Sequence, residues 1–269
     1  MKPFVFTLRH EPPQRIDLSK LTPDRIAGRS AAEVEKIEIG TTRATIRVGD
    51  LFSVSVGDPG VVRYEGGSER FDLVGAKLLP DHSVHVDGDV GAQLGRLAKG
   101  GRITVTGSAG AFAASGNVGA LVEIGGDVGD FLAAPLAGEL GGMSGGRVIV
   151  RGNVGDRAGD RLRRGMIVIE GDAGEDLGSR VIAGSIVALG DVKNRVGYLN
   201  RRGSIVLAKP CDLGPTYIDC GAHILTFAGL FARSLKSDST RAADLLSMRL
   251  RRYGGDMAVY GKGEILTPA

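Results

Sequence analysis

A glycine returns every nineteen residues. One follows each short β-branched run: Gly88, Gly107, Gly126, Gly152, Gly171 and Gly190, at intervals of 19, 19, 26, 19 and 19. The long interval is one period plus an insertion, at about Pro135–Gly141. Two further series hold the same phase. One is Gly101, Ala120, Gly146, Gly165, Gly184 and Gly203; the other is Gly95, Ala114, Ala133, Gly159, Gly178 and Gly197. The apolar triplets keep step, from Ile103-Thr104-Val105 and Val122-Glu123-Ile124 to Ile186-Val187-Ala188 and Ile205-Val206-Leu207. A lone unit of such a repeat cannot bury its apolar face, so units must stack.

Nineteen residues is too short for a strand–helix–strand crossover and suits one coil of a parallel β-helix. Glycine accepts positive φ and lets backbones approach where coils bend. β-branched residues fill the inside as ladders, with coils rising about 4.8 Å each. A leucine-rich repeat would need its Leu-x-x-Leu-x-Leu pattern, and a calcium-binding nonapeptide helix a period of nine; neither is present. A hexapeptide helix needs a period divisible by six. The expected fold is therefore all-β: a right-handed parallel β-helix, a solenoid with 19-residue coils, over residues 61–207. Residues 1–60 are expected to form an irregular N-terminal cap, with a strand at Val5–Leu8, a short helix near Ala31–Lys36, and strands at Ala44–Val48 and Phe52–Val56. Val61–Val74 reads as one or two degenerate coils. Residues 208–269 are expected to form a partly helical C-terminal cap, with a helix from about Ala228 to Arg252. Both caps would cover edges that otherwise invite aggregation.

Composition excludes several classes. Glycine is 43 of 269 residues, yet no Gly-X-Y period marks collagen, and 42% hydrophobic content is too high for a disordered chain. No apolar run approaches the ~18 residues of a membrane helix. The first residues, MKPFVFTLRHEPP, lack an apolar signal segment, so a cytoplasmic chain without a membrane partner is expected. A net charge of +3 is too mild to argue for nucleic acid.

Catalytic motifs are sparse. Gly142-Met143-Ser144-Gly145-Gly146 matches Gly-x-Ser-x-Gly, but a nucleophile elbow needs a strand before the serine and a helix after it. Here the predicted strand follows, so a turn is expected. No Gly-x-Gly-x-x-Gly or Walker A loop exists. His82 and His85 read as one exposed and one half-buried imidazole on a strand, and Cys211 and Cys220 as buried thiols; no metal site is expected. Asp89, Ser108, Asp127, Asn153, Asp172 and Asp191 share one phase and read as local Asx turns. Arginines align too: Arg157 with Arg195, Arg163 with Arg201, Arg164 with Arg202, and Arg161 with Arg180. Stacking would gather them on one stripe. Such a stripe is either a solvated face of weak ion pairs or a surface for an acidic partner or a polyanionic substrate tail.

The stretch GGMSGGRVIVRGNVGDRAGDRLRRGMIVIEGDAGEDLGSRVIAGSIVALGDV resembles the Gly-x-Gly-x-Gly β-helix domain. That domain is shared by the formylmethanofuran dehydrogenase C-subunit family and the C-terminal part of the glutamate synthase large subunit. The resemblance covers residues 60–210 closely and the flanks more loosely. A free-standing chain of this length resembles the C-subunit family rather than the synthase. It implies a non-catalytic structural subunit, without catalytic residues or a cofactor of its own, in a hetero-oligomeric one-carbon complex. The bacterial formyltransferase/hydrolase complex is favoured: it moves a formyl group from formyl-tetrahydromethanopterin to a methanofuran-type carrier and releases formate. Its amidohydrolase-like, formyltransferase-like and further subunits would hold the metal centre and the carrier. The alternative is the archaeal molybdenum or tungsten dehydrogenase. A further implication is that Arg157, Arg163, Arg164, Arg195, Arg201 and Arg202 could hold the carrier's glutamate-containing tail. The Pro135–Gly141 insertion should bulge from the repeat and touch a partner.

Overall fold

The computed structural model describes residues 2–42 and 45–269. Strands β1 (Pro3–Leu8) and β2 (Ile16–Asp17) precede helices α1 (Pro23–Ile26), α2 (Ala31–Glu35) and α3 (Val48–Leu51). Next come β3 (Phe52–Ser55), β4 (Asp58–Glu65) and β5 (Phe71–Asp72). Seven short strands then follow in regular succession: β6 (Ser83–Asp87), β7 (Arg102–Val105), β8 (Leu121–Ile124), β9 (Arg147–Val150), β10 (Met166–Ile169), β11 (Ser185–Ala188) and β12 (Ser204–Leu207). The chain closes with β13 (Ile218–His223), α4 (Thr226–Leu235), α5 (Thr240–Leu246), β14 (Leu250–Gly255) and β15 (Gly263–Pro268).

Among the described residues the protein is mostly β, built on one 13-stranded sheet in the order β13-β14-β15-β12-β11-β10-β9-β8-β7-β6-β4-β1-β3. Most of its pairings are parallel. Ile167 lies opposite Ile186 and Ile186 opposite Ile205, so the register advances by the sequence period. Between β8 and β9 Val122 faces Val148, which places the insertion in that one crossover. A second ladder of isolated bridges runs Val90, Ala109, Val128, Val154, Ala173, Val192.

Alternation along each strand sorts side chains into two faces. The inner face is a column of β-branched residues: Val84, Ile103, Val122, Val148, Ile167, Ile186, Ile205 and Ile265 all belong to one buried core. An aromatic group fills its N-terminal end, with Phe6 stacked on Tyr64 at 5.0 Å and Phe52 against Phe71 at 5.5 Å. The outer column changes character midway. It reads Arg63, His85, Thr104 and Glu123, then Ile149, Val168, Val187, Val206 and Leu266. The apolar half is covered. Helices α4 and α5 lay Ala228, Ala232, Leu235, Ala242 and Leu245 over it as a second core. Spacings of four and three residues put the α4 members on one helical stripe, and alanine lets the helix axis come close. Arg147 pairs with Asp238, and Arg151 donates to the Asp238 carbonyl at 2.6 Å, fastening the helical pair to the strands.

Two expectations need correction. The single C-terminal helix is two: α5 restarts at Ser239, whose hydroxyl accepts from the Ala242 amide, after a polar run that favours caps over helix interior. Leu250–Arg252 lies instead in β14, paired with β15. Ala44, the start of the expected strand at 44–48, lies outside the described residues. From Val48 the chain turns into α3, because the Asp50 carboxylate accepts the Arg47 amide and closes a helical turn. In the stretch 61–74, β4 joins the large sheet and β5 pairs with β2 in a separate two-stranded one. The chain also returns after the repeat ends, since β15 lies parallel to β12 and continues both columns.

Gly229 sits inside α4 with open space where a Cβ would point. Gly229→Ala should therefore stabilise the protein by about 0.5–1 kcal/mol. Thermal unfolding checks this; a destabilised variant would mean that the helix is not formed as described.

Candidate functional site

The arginine-bearing corner is built on a repeated backbone figure. In successive repeats the chain takes positive φ at alternate residues: Arg157, Gly159 and Arg161; then Asp176, Gly178 and Arg180; then Arg195, Gly197 and Leu199. Only the middle member contacts the core. An added Cβ at Gly178 would lie 2.7 Å from the Ile205 side chain, which explains the small-residue series. The flanking members are full-sized residues in a left-handed conformation, at a strain of about 1–2 kcal/mol each.

Stacked repeats turn these flanking side chains into columns. In one, Phe112 stacks on Phe131 at 4.8 Å, and the Arg157 guanidinium lies 5.8 Å from the Phe131 ring. Arg157 then approaches Asp176 at 3.6 Å, and Asp176 accepts two hydrogen bonds from Arg195 at 2.8 Å each. The carboxylate raises the Arg195 pKa above its ordinary value, chiefly through that hydrogen bonding. In the neighbouring column Asp160, 4% exposed, accepts a bidentate pair from Arg180 at 2.9 and 2.6 Å and a bond from Ser179 at 2.7 Å. Arg157 and Arg195 are thus already engaged.

Arg163 and Arg201 are placed differently. With Ile182 between them, they line a cleft of about 590 Å³ shared with Arg161, Leu140 and Val259. Arg164 lines a separate hollow, beside Arg147 and Phe231 of α4. Arg202 is exposed. The six arginines therefore form no single stripe: neighbours such as Arg163 and Arg164, entering a strand, project to opposite sides.

The insertion forms one wall of that cleft. Arg161 donates to the Glu139 carbonyl at 3.2 Å, and the Arg163 stem lies over Gly141. Arg96 pairs with Glu139 at 2.6 Å, and that hydrogen bond holds the Glu139 carboxyl below its ordinary pKa.

The Asp/Asn series is not a set of local Asx turns. Each side chain reaches the next repeat: Asp127 Oδ1 accepts the Asn153 amide at 2.7 Å, Asn153 Oδ1 the Asp172 amide at 2.8 Å, and Asp172 Oδ1 the Asp191 amide at 2.7 Å. The counterpart amide in the next repeat is one rung away, within reach of a short polar side chain. The glycine preceding each member explains the approach. A Cβ on Gly152 would collide with Asp127 Oδ1, and one on Gly126 with Ser108 Oγ.

Other candidates do little. Ser144 lies in the turn leading into β9, the reverse of an elbow's order. His85 bonds Asp87 at 2.7 Å, and both histidines of the pair are half-buried. Cys220 is exposed rather than buried, because β13 is an edge strand; Cys211 is half-buried, and burial raises its pKa. Among the described residues no group of three His, Cys, Asp or Glu is placed to hold a metal ion. No helix among them is long and apolar enough to cross a membrane.

No protein-family model matches the chain. Over 262 residues it is 43% identical to the C subunit of the formyltransferase/hydrolase complex Fhc of Methylorubrum extorquens, covering 97% of this chain and 98% of the relative. It belongs to that C-subunit family. The crystal structure of the formyltransferase/hydrolase complex from the same organism, in complex with methylofuran, contains a chain that superposes with a TM-score of 0.91 at 40% identity. That match covers 98% of this chain and 99% of the other.

Proposed function

We propose that the chain is a non-catalytic structural subunit of a cytoplasmic formyltransferase/hydrolase complex. Its partners would be an amidohydrolase-like and a formyltransferase-like subunit, which supply the metal centre and hold a methanofuran-type carrier. The assembly would move a formyl group from formyl-tetrahydromethanopterin to that carrier and release formate. The observation that carries this reading is 43% identity sustained over 97% of the chain.

The finer reading of the fold belongs to the same proposal. Residues 61–207 wind as a right-handed parallel β-helix of 19-residue coils, capped by residues 1–60 and 208–269. Constant register from β9 to β12 supports it. So does the fate of the polar side chains, many of which bond the next repeat. Of the six aligned arginines, Arg163 and Arg201 are the two that share one cleft, which makes them the pair placed to meet an outside anion together.

Affinity purification of the tagged chain from its host, with mass spectrometry, tests the assignment. The expected result is co-purification of an amidohydrolase-like and a formyltransferase-like protein. Recovery of the chain alone would overturn it; an iron–sulfur and molybdenum or tungsten partner set would move it to a dehydrogenase.

A further inference from the structure

The cleft between the insertion and the C-terminal turn gathers positive charge that the chain itself does not neutralise. Among the described residues, Arg161, Arg163 and Arg201 make no ion pair with a carboxylate. The nearby carboxylates are committed: Asp160 to Arg180, Glu139 to Arg96, and Asp256 to the amides of Leu199 and Ala258. Like charges held together in one concavity repel unless an anion enters.

The spacing is set by the repeat. Ile182 donates its amide to Leu162, and Arg201 donates to Val181, so positions 163, 182 and 201 stand on successive rungs. Arg163 and Arg201 are thus about 10 Å apart at the backbone, two rungs of roughly 4.8 Å each. A peptide in the polyproline II conformation presents side chains three residues apart on one face at about 9.3 Å, close to the same distance. Each guanidinium matches a carboxylate in fork geometry.

The rim is apolar where it meets solvent. Leu140 on the insertion is 88% exposed and Tyr260 67%. The Arg201 guanidinium lies 6.0 Å from the Tyr260 ring. Arginine and tyrosine are among the residues enriched at the centres of protein interfaces. A small ligand is instead mostly enclosed by its pocket; this cleft opens to solvent between the exposed side chains of Leu140, Arg163 and Arg201.

We infer that this cleft is the docking surface for an acidic segment of a partner subunit, gripped by Arg163 and Arg201 and covered by Leu140 and Tyr260. The inference rests on the proposed subunit role and says where, and by what chemistry, one contact is made.

The test uses the assembled complex. Wild-type chain and the charge-reversed variant R163E/R201E are each purified with their partners across a salt series. Both residues are exposed, so the variant should keep its melting temperature. The expected result is loss of one partner subunit, with binding about a hundredfold weaker, as like charges meet across the contact. In parallel, replacing Leu140 by photoreactive benzoylphenylalanine in the otherwise wild-type complex should cross-link it to an Asp/Glu-rich peptide of that partner. This second readout holds even if the charge-reversed chain folds poorly. A variant that assembles with unchanged salt resistance, or a cross-link to a second copy of this chain, overturns the inference and leaves the subunit role standing. Retention of every subunit with loss of the carrier alone overturns it in favour of a small-molecule site. A wild-type chain that brings down no partner overturns both.

Discussion

Gly171→Ala should cost the protein about 3 kcal/mol, a fall in melting temperature of about 10 °C. The added Cβ would lie 2.5 Å from the Gly152 carbonyl oxygen and 2.6 Å from Asn153 Oδ1. Neither atom can move away cheaply. The carbonyl accepts the Gly171 amide at 3.1 Å, and Asn153 Oδ1 accepts the Asp172 amide at 2.8 Å. A shift that relieved the clash would open both bonds at once and would propagate, because Gly190 stands against Gly171 and Asp172 in the same way. The control is Gly214→Ala: Gly214 has nothing within 4 Å of the position a Cβ would take. It should be nearly neutral. Differential scanning calorimetry of the two variants decides the matter. Equal melting temperatures would mean that the glycine series does not mark close approach between repeats.

That series is the most legible part of the sequence. Its period predicts the strand register and locates the insertion in one crossover, because period and register are the same quantity in a stacked repeat. The small residues Gly159 and Gly178 are also readable, since they contact the core. Their flanking neighbours are not. Arg157, Asp176 and Arg195 take positive φ without being glycine, and residue type gives no sign of it. The Asp/Asn column is visible in the sequence, but its bonding partner is not. A short polar side chain can bond either its own turn or the next, and only the three-dimensional stacking chooses. The arginine alignment shows phase but not facing. The cover over β9–β12 has a sequence signal of its own: the middle residue of each triplet changes from Thr104 and Glu123 to Ile149, Val168 and Val187. An outward position that turns apolar announces that something covers it.

That change makes Val187→Glu the sharpest probe of the C-terminal half. Val187 is 1% exposed and packs in the cluster that contains Ala228, Ala232, Leu235 and Leu245. Glu123 occupies the same column two strands before Val168, where no helix covers it, and pairs there with Arg102. One side chain is therefore tolerated at one rung and should be rejected at another. The penalty for an unpaired buried carboxylate is about 3–5 kcal/mol, so the expected response is release of α4 and α5 from the sheet. Hydrogen exchange should show fast amides at residues 226–246 while β6–β8 stay protected. Glu123→Val, the converse change on the open face, should stay within about 0.5 kcal/mol of the parent. Acid provides the discriminating arm. Burial raises the pKa of a carboxyl, so the charged form is what the fold rejects. The penalty is present at neutral pH, falls as pH drops through the raised folded value, and is gone below the ordinary value of about 4.3. Redocking of the helices near pH 5 would identify charge as the cause. A loss that ignored pH would assign it to shape alone, and an unchanged exchange pattern would mean that the helices do not rest on Val187.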